Sequence, residues 1–340
     1  MYHLRLKGEH YQMGVKRGTI FQRGNISFPL HLDTFQLEHG KQSEKILRKF
    51  FPEVCEEIRG VSDTIGADYI SFISWMLCMG CCMYNLENNI PVEIRGCTAF
   101  AYSKDGNIIY GRNNDLPPYL RDGSKSEIYS PINGNRFNIT TSSFINGEEG
   151  LNEHGLAVGL TSVYPNQCKP GFNAGMIVRY LLEKCKNVSE AVSCLYQLPI
   201  ASAQTLTLAD AMGTITVIEC NAEQIKVEKT LNNNLSFVCA TNTFHFPEMI
   251  GYNNDKIDNW FAEERYQTLY SAFNRKNGGF NLPFAEKLLS GDYGFLCQYD
   301  RSTGKDTVWS VIYDMKRHKI YRSEGNPGRH KFKEDTRFQF

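Results

Sequence analysis

Cys97 is the residue of this 340-residue chain best placed to do covalent chemistry. It follows Gly96 in Arg95-Gly96-Cys97-Thr98-Ala99-Phe100-Ala101-Tyr102, and Gly111-Arg112-Asn113-Asn114-Asp115 comes shortly after it. Two short apolar runs flank Lys104-Asp105-Gly106-Asn107, the signature of a β-hairpin. A hairpin returns the end of its second strand to the start of its first, so the thiol of Cys97, the guanidinium of Arg112 and the carboxylate of Asp115 converge. A thiol near a cation and a carboxylate is a candidate nucleophile.

The chemistry sharpens if the Gly96–Cys97 bond is cut, because Cys97 then becomes an N-terminal residue. Its α-amino group, with an ordinary pKa of about 7.7–8.0, would be partly neutral at physiological pH. That amine could take the thiol proton directly or through a water, with no separate histidine. Asp115 would hold and orient the amine, and Arg112 would steady a thiolate or a substrate carboxylate. Gly96 offers the backbone freedom that an internal N-to-S acyl shift needs. An acyl-transfer site also needs a donor for the oxyanion. Asn242, in Ala240-Thr241-Asn242-Thr243 directly after the apolar run Phe237-Val238-Cys239, is the candidate.

Each residue also has an ordinary structural reading. Cys97 could be a buried core cysteine, Asp115 a turn carboxylate before Leu116-Pro117-Pro118, Arg112 a strand-surface charge, and Asn242 turn chemistry. His154 and His245 raise a Cys–His dyad, but the C-G-x-C-[WY] signature is missing around Cys97. Tyr119, Tyr164, Phe172 and Phe244 could line an acyl pocket or simply pack.

Composition bounds the rest. Thirty-seven basic side chains balance 37 acidic ones, which argues against a nucleic-acid or anionic-membrane partner. The start of the chain has no apolar signal core, and no apolar run has membrane-spanning length. The expectation is a soluble, cytoplasmic protein. Eleven cysteines in 340 residues fall below disulfide-scaffold density. Cys78, Cys81 and Cys82 form a C-x-x-C-C cluster on an expected helix, but zinc would need a second ligand pair at suitable spacing and none is evident. No metal or cofactor is expected.

Along the chain the first 90 or so residues read as helical (41–50, 52–62 and 68–87, the last capped by Asp68). After Pro91 strands dominate: 98–103, 108–112, 137–143, 156–161, 205–209, 214–220 and 237–240. Helices are expected at 174–185, at 189–198 with Ser189 as cap, at 255–273 and at 283–289, before closing strands at 307–313 and 319–323. Strands in two batches with helices between suggest two stacked sheets under helical layers. The helix-rich front and the strand-rich remainder meet around 88–96, just before Cys97.

These residues together resemble the N-terminal nucleophile hydrolases of the penicillin acyltransferase-like group (acyl-coenzyme A:6-aminopenicillanic acid acyltransferase and its relatives), wider kin of the choloylglycine hydrolases. Gly8-Glu9-His10-Tyr11-Gln12-Met13-Gly14 with Gly18 is similar to the group's G-x-x-Y-x-x-G-x-x-x-G opening. Gly96-Cys97-Thr98 resembles its cleavage and nucleophile site, and Gly111-Arg112-Asn113-Asn114-Asp115 its G-[RQ]-N-x-D element. Gly150-Leu151-Asn152-Glu153-His154-Gly155-Leu156, Thr241-Asn242 and Gly325-Asn326-Pro327 resemble its later elements, in order.

The resemblance implies an α+β fold, a four-layer αββα sandwich of two stacked, mainly antiparallel sheets with a helical N-terminal pro-segment. It implies cleavage into a pro-segment of residues 1–96 and a catalytic domain of residues 97–340. It further implies hydrolysis of a linear, non-peptide amide through an acyl-Cys97 intermediate. Arg112 stands where the penicillin-forming enzyme has glutamine, which tilts the expectation toward hydrolysis. The alternatives are an acyltransferase that passes the acyl group to an amine or coenzyme A, and an uncleaved, non-catalytic binding protein of the same fold. The expected partner is a small acyl amide, and oligomers are compatible with the sequence.

Overall fold

The computed structural model describes residues 1–28, 30–82, 96–228, 237–254, 257–276, 278–297 and 299–340. The chain opens with β1 (Tyr2–Gly8), followed by α1 (His10–Arg23), α2 (Thr34–Phe50), α3 (Pro52–Ile65) and α4 (Tyr69–Cys78). Then come β2 (Gly96–Lys104), β3 (Asn107–Leu116), β4 (Lys125–Pro131), β5 (Phe137–Thr141), β6 (Glu149–Asn152) and β7 (Ala157–Val163). Helices α5 (Ala174–Lys184) and α6 (Val188–Leu195) precede β8 (Ala203–Ala209), β9 (Ile215–Cys220), β10 (Ile225–Val227) and β11 (Phe237–Ala240). Helices α7 (Ala262–Arg275) and α8 (Leu282–Leu289) lead to β12 (Asp306–Asp314), β13 (Lys319–Ser323) and β14 (Lys333–Glu334).

The strands form two sheets, ordered β1-β4-β5-β6-β7-β8-β9-β10 and β11-β2-β3-β12-β13-β14. All their pairings are antiparallel except β1 with β4. Apolar packing resolves four layers. Helices α1 to α6 cover one face of the eight-stranded sheet in a core that includes Met13, Ile58, Phe72, Leu181, Tyr129 and Leu206. Helices α7 and α8 cover the six-stranded sheet through Phe100, Tyr102, Phe273 and Phe284. Between the sheets lie Ala101, Tyr110, Ala157, Ala209, Val217 and Val311. The alternation of β2 makes this possible: Phe100 faces the helices and Ala101 faces the second sheet, as period-two side chains must.

The expected elements differ from this fold in a few places. The front segment is not helical throughout, because Leu4 and Leu6 alternate with exposed residues and place β1 on the edge of the eight-stranded sheet. Asp68 caps α4 as expected, accepting from Ser71 N, but the described helix ends at Cys78 and residues 83–87 lie outside the described residues. The expected boundary at 88–96 lies outside them too, apart from Gly96. Asn187, not Ser189, caps α6, since its side chain accepts from Glu190 N one turn in. The helix expected over 255–273 starts only at Ala262, because Trp260 and Phe261 take φ of 56° and 57°, incompatible with a right-handed helix. Residues 255 and 256 lie outside the described residues.

The front segment is fastened by buried charge as well as by β1. Arg17 of α1 donates in bidentate fashion to Glu127 of β4, at 2.7 Å for each bond. Tyr129 OH donates to Glu57 Oε1 at 2.9 Å, and Arg179 of α5 donates to Glu57 Oε2 at 2.7 Å. Burial pushes the Glu57 carboxyl up, but Arg179 and Arg17 more than offset this and hold it below its ordinary value. Helices α1 and α3 cross at glycines. A Cβ on Gly14 would collide with the carbonyl of Glu57, and one on Gly60 with the carbonyl of Tyr11. Two glycines of the opening motif, Gly14 and Gly18, therefore serve this close crossing.

Gly14→Ala is expected to lower unfolding free energy by about 1–3 kcal/mol through overpacking, whereas Gly123→Ala, with nothing within 4 Å of its Cβ position, should change it by less than about 0.5 kcal/mol. Urea denaturation of both variants checks this; equal stability of the two would contradict the packing account.

Candidate active site

Cys97 sits at the second position of β2, with Asn114 opposite it and Gly96 opposite Asp115. Residues paired across a ladder share a face, so Cys97, Ala99, Arg112 and Asn114 look toward the other sheet. Gly96, Thr98, Asn113 and Asp115 look toward the helices. The hairpin thus brings the three expected residues to one end of two neighbouring strands, but it places the Cys97 sulfur and the Asp115 carboxylate on opposite faces.

On the inter-sheet face, Arg112 Nη2 lies 3.0 Å from Cys97 Sγ. Its remaining donors cross to the eight-stranded sheet: Nη1 reaches Glu149 Oε2 at 2.9 Å, and Nε and Nη2 reach Leu160 O at 3.1 and 3.0 Å. Arg112 and Glu149 are wholly buried. Burial pushes the Cys97 thiol up to about 11, against the opposing pull of Arg112. Asn114 Oδ1 lies 3.4 Å from the sulfur, and among the described residues Asn114 Nδ2 is buried without a hydrogen-bond partner. A buried, unpartnered N–H pair beside a thiol is a donor in waiting.

On the other face stands a residue that the sequence reading did not single out. Arg265 of α7 is fully buried. Its Nη1 donates to the Cys97 carbonyl and, at 2.8 Å, to Thr98 Oγ1. Nη2 donates to Asn242 Oδ1 at 2.8 Å, and Nε to Trp260 O at 2.9 Å. Nη1 also lies 3.8 Å from Asp115 Oδ2. Asp115 accepts from Thr307 Oγ1 at 2.6 Å and Tyr299 OH at 3.0 Å. Burial pushes the Asp115 carboxyl above its ordinary value, with Arg265 as the largest opposing influence. Nothing local in the sequence marks Arg265, which lies on a helix 168 positions from Cys97.

Asn242 follows β11, the neighbour of β2. Its Oδ1 accepts from the Cys97 backbone N at 2.7 Å, and its Nδ2 donates to Ser162 O at 2.8 Å. A guanidinium only donates and a carbonyl only accepts, so Arg265 and Ser162 together fix which way the amide points. Asn242 therefore holds the Cys97 nitrogen, with one N–H of Nδ2 left over.

Gly96 has no left-handed φ. A Cβ there would lie 3.0 Å from both Asp115 Cβ and Trp260 Cε3, so close approach rather than backbone freedom calls for glycine. His154 Nε2 pairs with Asn135 at 3.2 Å and His245 Nε2 with Glu263 at 3.0 Å, so neither is directed at Cys97. Phe172 belongs to the core under α1 to α6, Phe244 to a separate cluster with Val163 and Met249, and Tyr119 is exposed. These three aromatics do not share a pocket.

The αββα layering, with a small nucleophile-type residue at the start of an inner strand, defines the class of the N-terminal nucleophile hydrolases. Within it, the sequence model of the acyl-coenzyme A:6-aminopenicillanic acid acyl-transferase family matches residues 102–329, and the chain belongs to that family. The chain matches no curated protein sequence. Among solved structures it is similar to a variant of conjugated bile acid hydrolase from Clostridium perfringens, at 12% identity and a TM-score of 0.48, over 72% of this chain and 97% of that one. It is also similar to penicillin V acylase from Agrobacterium tumefaciens, at 15% identity and a TM-score of 0.44, over 67% and 83% of the two chains. No helix among the described residues is long and apolar enough to cross a membrane.

Arg265→Met should cost about 3–5 kcal/mol, the range for breaking a buried ion pair. Without the guanidinium the Asp115 carboxyl rises further above its unfolded value. A raised native pKa stabilises the protonated form, so stability falls as pH increases past the unfolded carboxylate range of about 4. The loss is therefore expected to be larger at pH 8 than at pH 5 in urea titrations; the same loss at both would argue against the Asp115 pairing.

Proposed function

We propose that this protein is a self-processing cysteine hydrolase that cleaves a linear amide through an acyl-Cys97 intermediate. The observation that carries this reading is the setting of Cys97, with its sulfur 3.0 Å from Arg112 Nη2 and its backbone nitrogen 2.7 Å from Asn242 Oδ1.

In the processing step the Cys97 sulfur attacks the Gly96 carbonyl carbon, and the C–N bond breaks to leave a thioester and a free α-amine. Water then hydrolyses the thioester, releasing residues 1–96 with a new carboxylate and restoring the thiol. The catalytic chain has 340 − 96 = 244 residues. Asn242 Oδ1 already holds the nitrogen that becomes the amine. Asp115, under the Gly96 end of the strand, supplies the counter-charge when that amine is protonated.

In the hydrolytic cycle the amine takes the thiol proton and Arg112 stabilises the thiolate. The thiolate adds to the amide carbonyl. The remaining N–H of Asn242 and the unpartnered Asn114 Nδ2 receive the oxyanion. Collapse expels the amine product, which takes up the proton, and water releases the acid from the thioester. The family to which the chain belongs is named for acyl transfer, which favours one further reading: an amine or coenzyme A thiol takes the place of water in the last step.

Denaturing mass spectrometry should find two fragments divided between Gly96 and Cys97, and a single species for Cys97→Ala. A wild-type chain that stays whole would overturn the processing step. In a screen of penicillin V, conjugated bile salts and N-acyl amino acids, Asn242→Ala is expected to slow acyl release by about a hundredfold or more. Unchanged release would remove Asn242 from the oxyanion site.

A further inference from the structure

Cys78, Cys81 and Cys82 lack a second ligand pair in the sequence, but the fold supplies donors from two distant segments. His39 of α2 places Nε2 3.6 Å from Cys81 Sγ. One donor atom from each of His39, Cys81 and Cys82 lies within 4.8 Å of the others, and all three residues are buried. Cys82 also makes a side-chain contact with the His39 imidazole. Cys168, between β7 and α5, packs against the cluster, and the Cys81 sulfur also reaches Ala201 O at 3.1 Å. Cys78 lies in the same cluster, but its sulfur donates to Gln36 O at 3.4 Å.

Buried thiols can be small hydrophobes, but a hydrophobe has no use for an imidazole nitrogen aimed at its sulfur. Three thiols and one imidazole form a soft donor set, suited to zinc or cuprous ion rather than to magnesium or calcium. The spacing fits. In a tetrahedral zinc site, with Zn–S of about 2.3 Å and Zn–N of about 2.0–2.1 Å, a sulfur and a nitrogen ligand stand about 3.6 Å apart. The His39–Cys81 separation is already that. Sulfur pairs in such a site stand about 3.8 Å apart, so the Cys82 sulfur, within 4.8 Å of the other two donor atoms, need move by no more than about 1 Å.

We propose that His39, Cys81, Cys82 and Cys168 bind a thiophilic d10 cation of the zinc type as a closed, four-ligand structural site. Three thiols release their protons to solvent as the metal–sulfur bonds form, and His39 Nε2 contributes its lone pair, leaving one net negative charge on the zinc site. All four positions are filled, so the site stabilises and does not catalyse. It joins α2 and the turn after α4 to the β7–α5 segment, which lies on the far side of Cys97 in the chain. The metal thereby clamps the front segment to the body of the fold, whether or not the chain is cut.

The full chain, purified under a non-chelating reductant with zinc supplied, is expected to hold about one zinc ion per chain by elemental mass spectrometry. Cobalt added to metal-free protein should give thiolate-to-cobalt charge-transfer absorption. Cys81→Ser, Cys82→Ser and His39→Ala should each weaken zinc binding at least tenfold, and Cys97→Ala should leave it unchanged. Circular dichroism of each variant identifies misfolding, and the cobalt titration of the wild-type chain stands without any variant. Wild-type protein with no bound zinc and no charge-transfer band would overturn the proposal, as would Cys81→Ser and Cys82→Ser chains that bind like wild type. Undiminished affinity in Cys168→Ser would overturn the fourth-ligand assignment.

Discussion

The site depends on two buried guanidinium groups that grip Cys97 from opposite faces of one strand. A cation buried without partners costs several kcal/mol even after relaxation. Arg112 and Arg265 are tolerated only because nearly every donor they carry is spent. Arg112 ties the sulfur to Glu149 and Leu160, so the position of the thiol depends on how the two sheets stack. Arg265 ties the carbonyl of Cys97 to Thr98, Asn242 and the loop before α7. The backbone of Cys97 is thus held by a helix, while its side chain is held by the opposite sheet.

This arrangement separates two sets of contacts. The inter-sheet face carries the groups beside the sulfur, namely Arg112 and Asn114. The helix-side face carries Arg265, which holds the Cys97 carbonyl, and Asp115, which is held in turn by Thr307 and Tyr299. Asn242 stands at the edge of β2 and touches both the Cys97 nitrogen and Arg265. A carboxylate under the peptide bond and a cation beside the thiol are what cleavage and subsequent catalysis would each need.

The front segment is part of the body rather than an appendage. β1 completes the edge of a sheet, and Arg17 and Glu57 reach buried partners on β4 and α5. Buried pairs of this kind are held in place by the cost of breaking them, since an unpaired charge would remain in the core. Two of the later family elements are likewise structural. Asn152 folds its own turn by accepting from His154 N and Leu156 N, and Asn326 links Cys297 to Asp306.

The hairpin could be read directly from the chain, because turn chemistry and period-two alternation are local and fix the register that carries Arg112 and Asp115 to Cys97. The layered class was legible for the same reason, in two batches of strands with helices between. The extent of α7 was not, because the positive φ of Trp260 and Phe261 has no mark in hydrophobic periodicity. Arg265, Glu149 and His39 were not legible either. Each meets its partner across a sheet stack or helix crossing that no short window of sequence contains. The sequence by itself determined which residues could react and which strand would present them. Only the tertiary structure decided that the thiol and Asp115 lie on opposite faces, that Asn242 points its oxygen at the Cys97 nitrogen, and that His39 and Cys168 meet the adjacent pair Cys81 and Cys82. Those outcomes follow from burial, which drives charges and most polar atoms to find partners wherever the packed layers bring them.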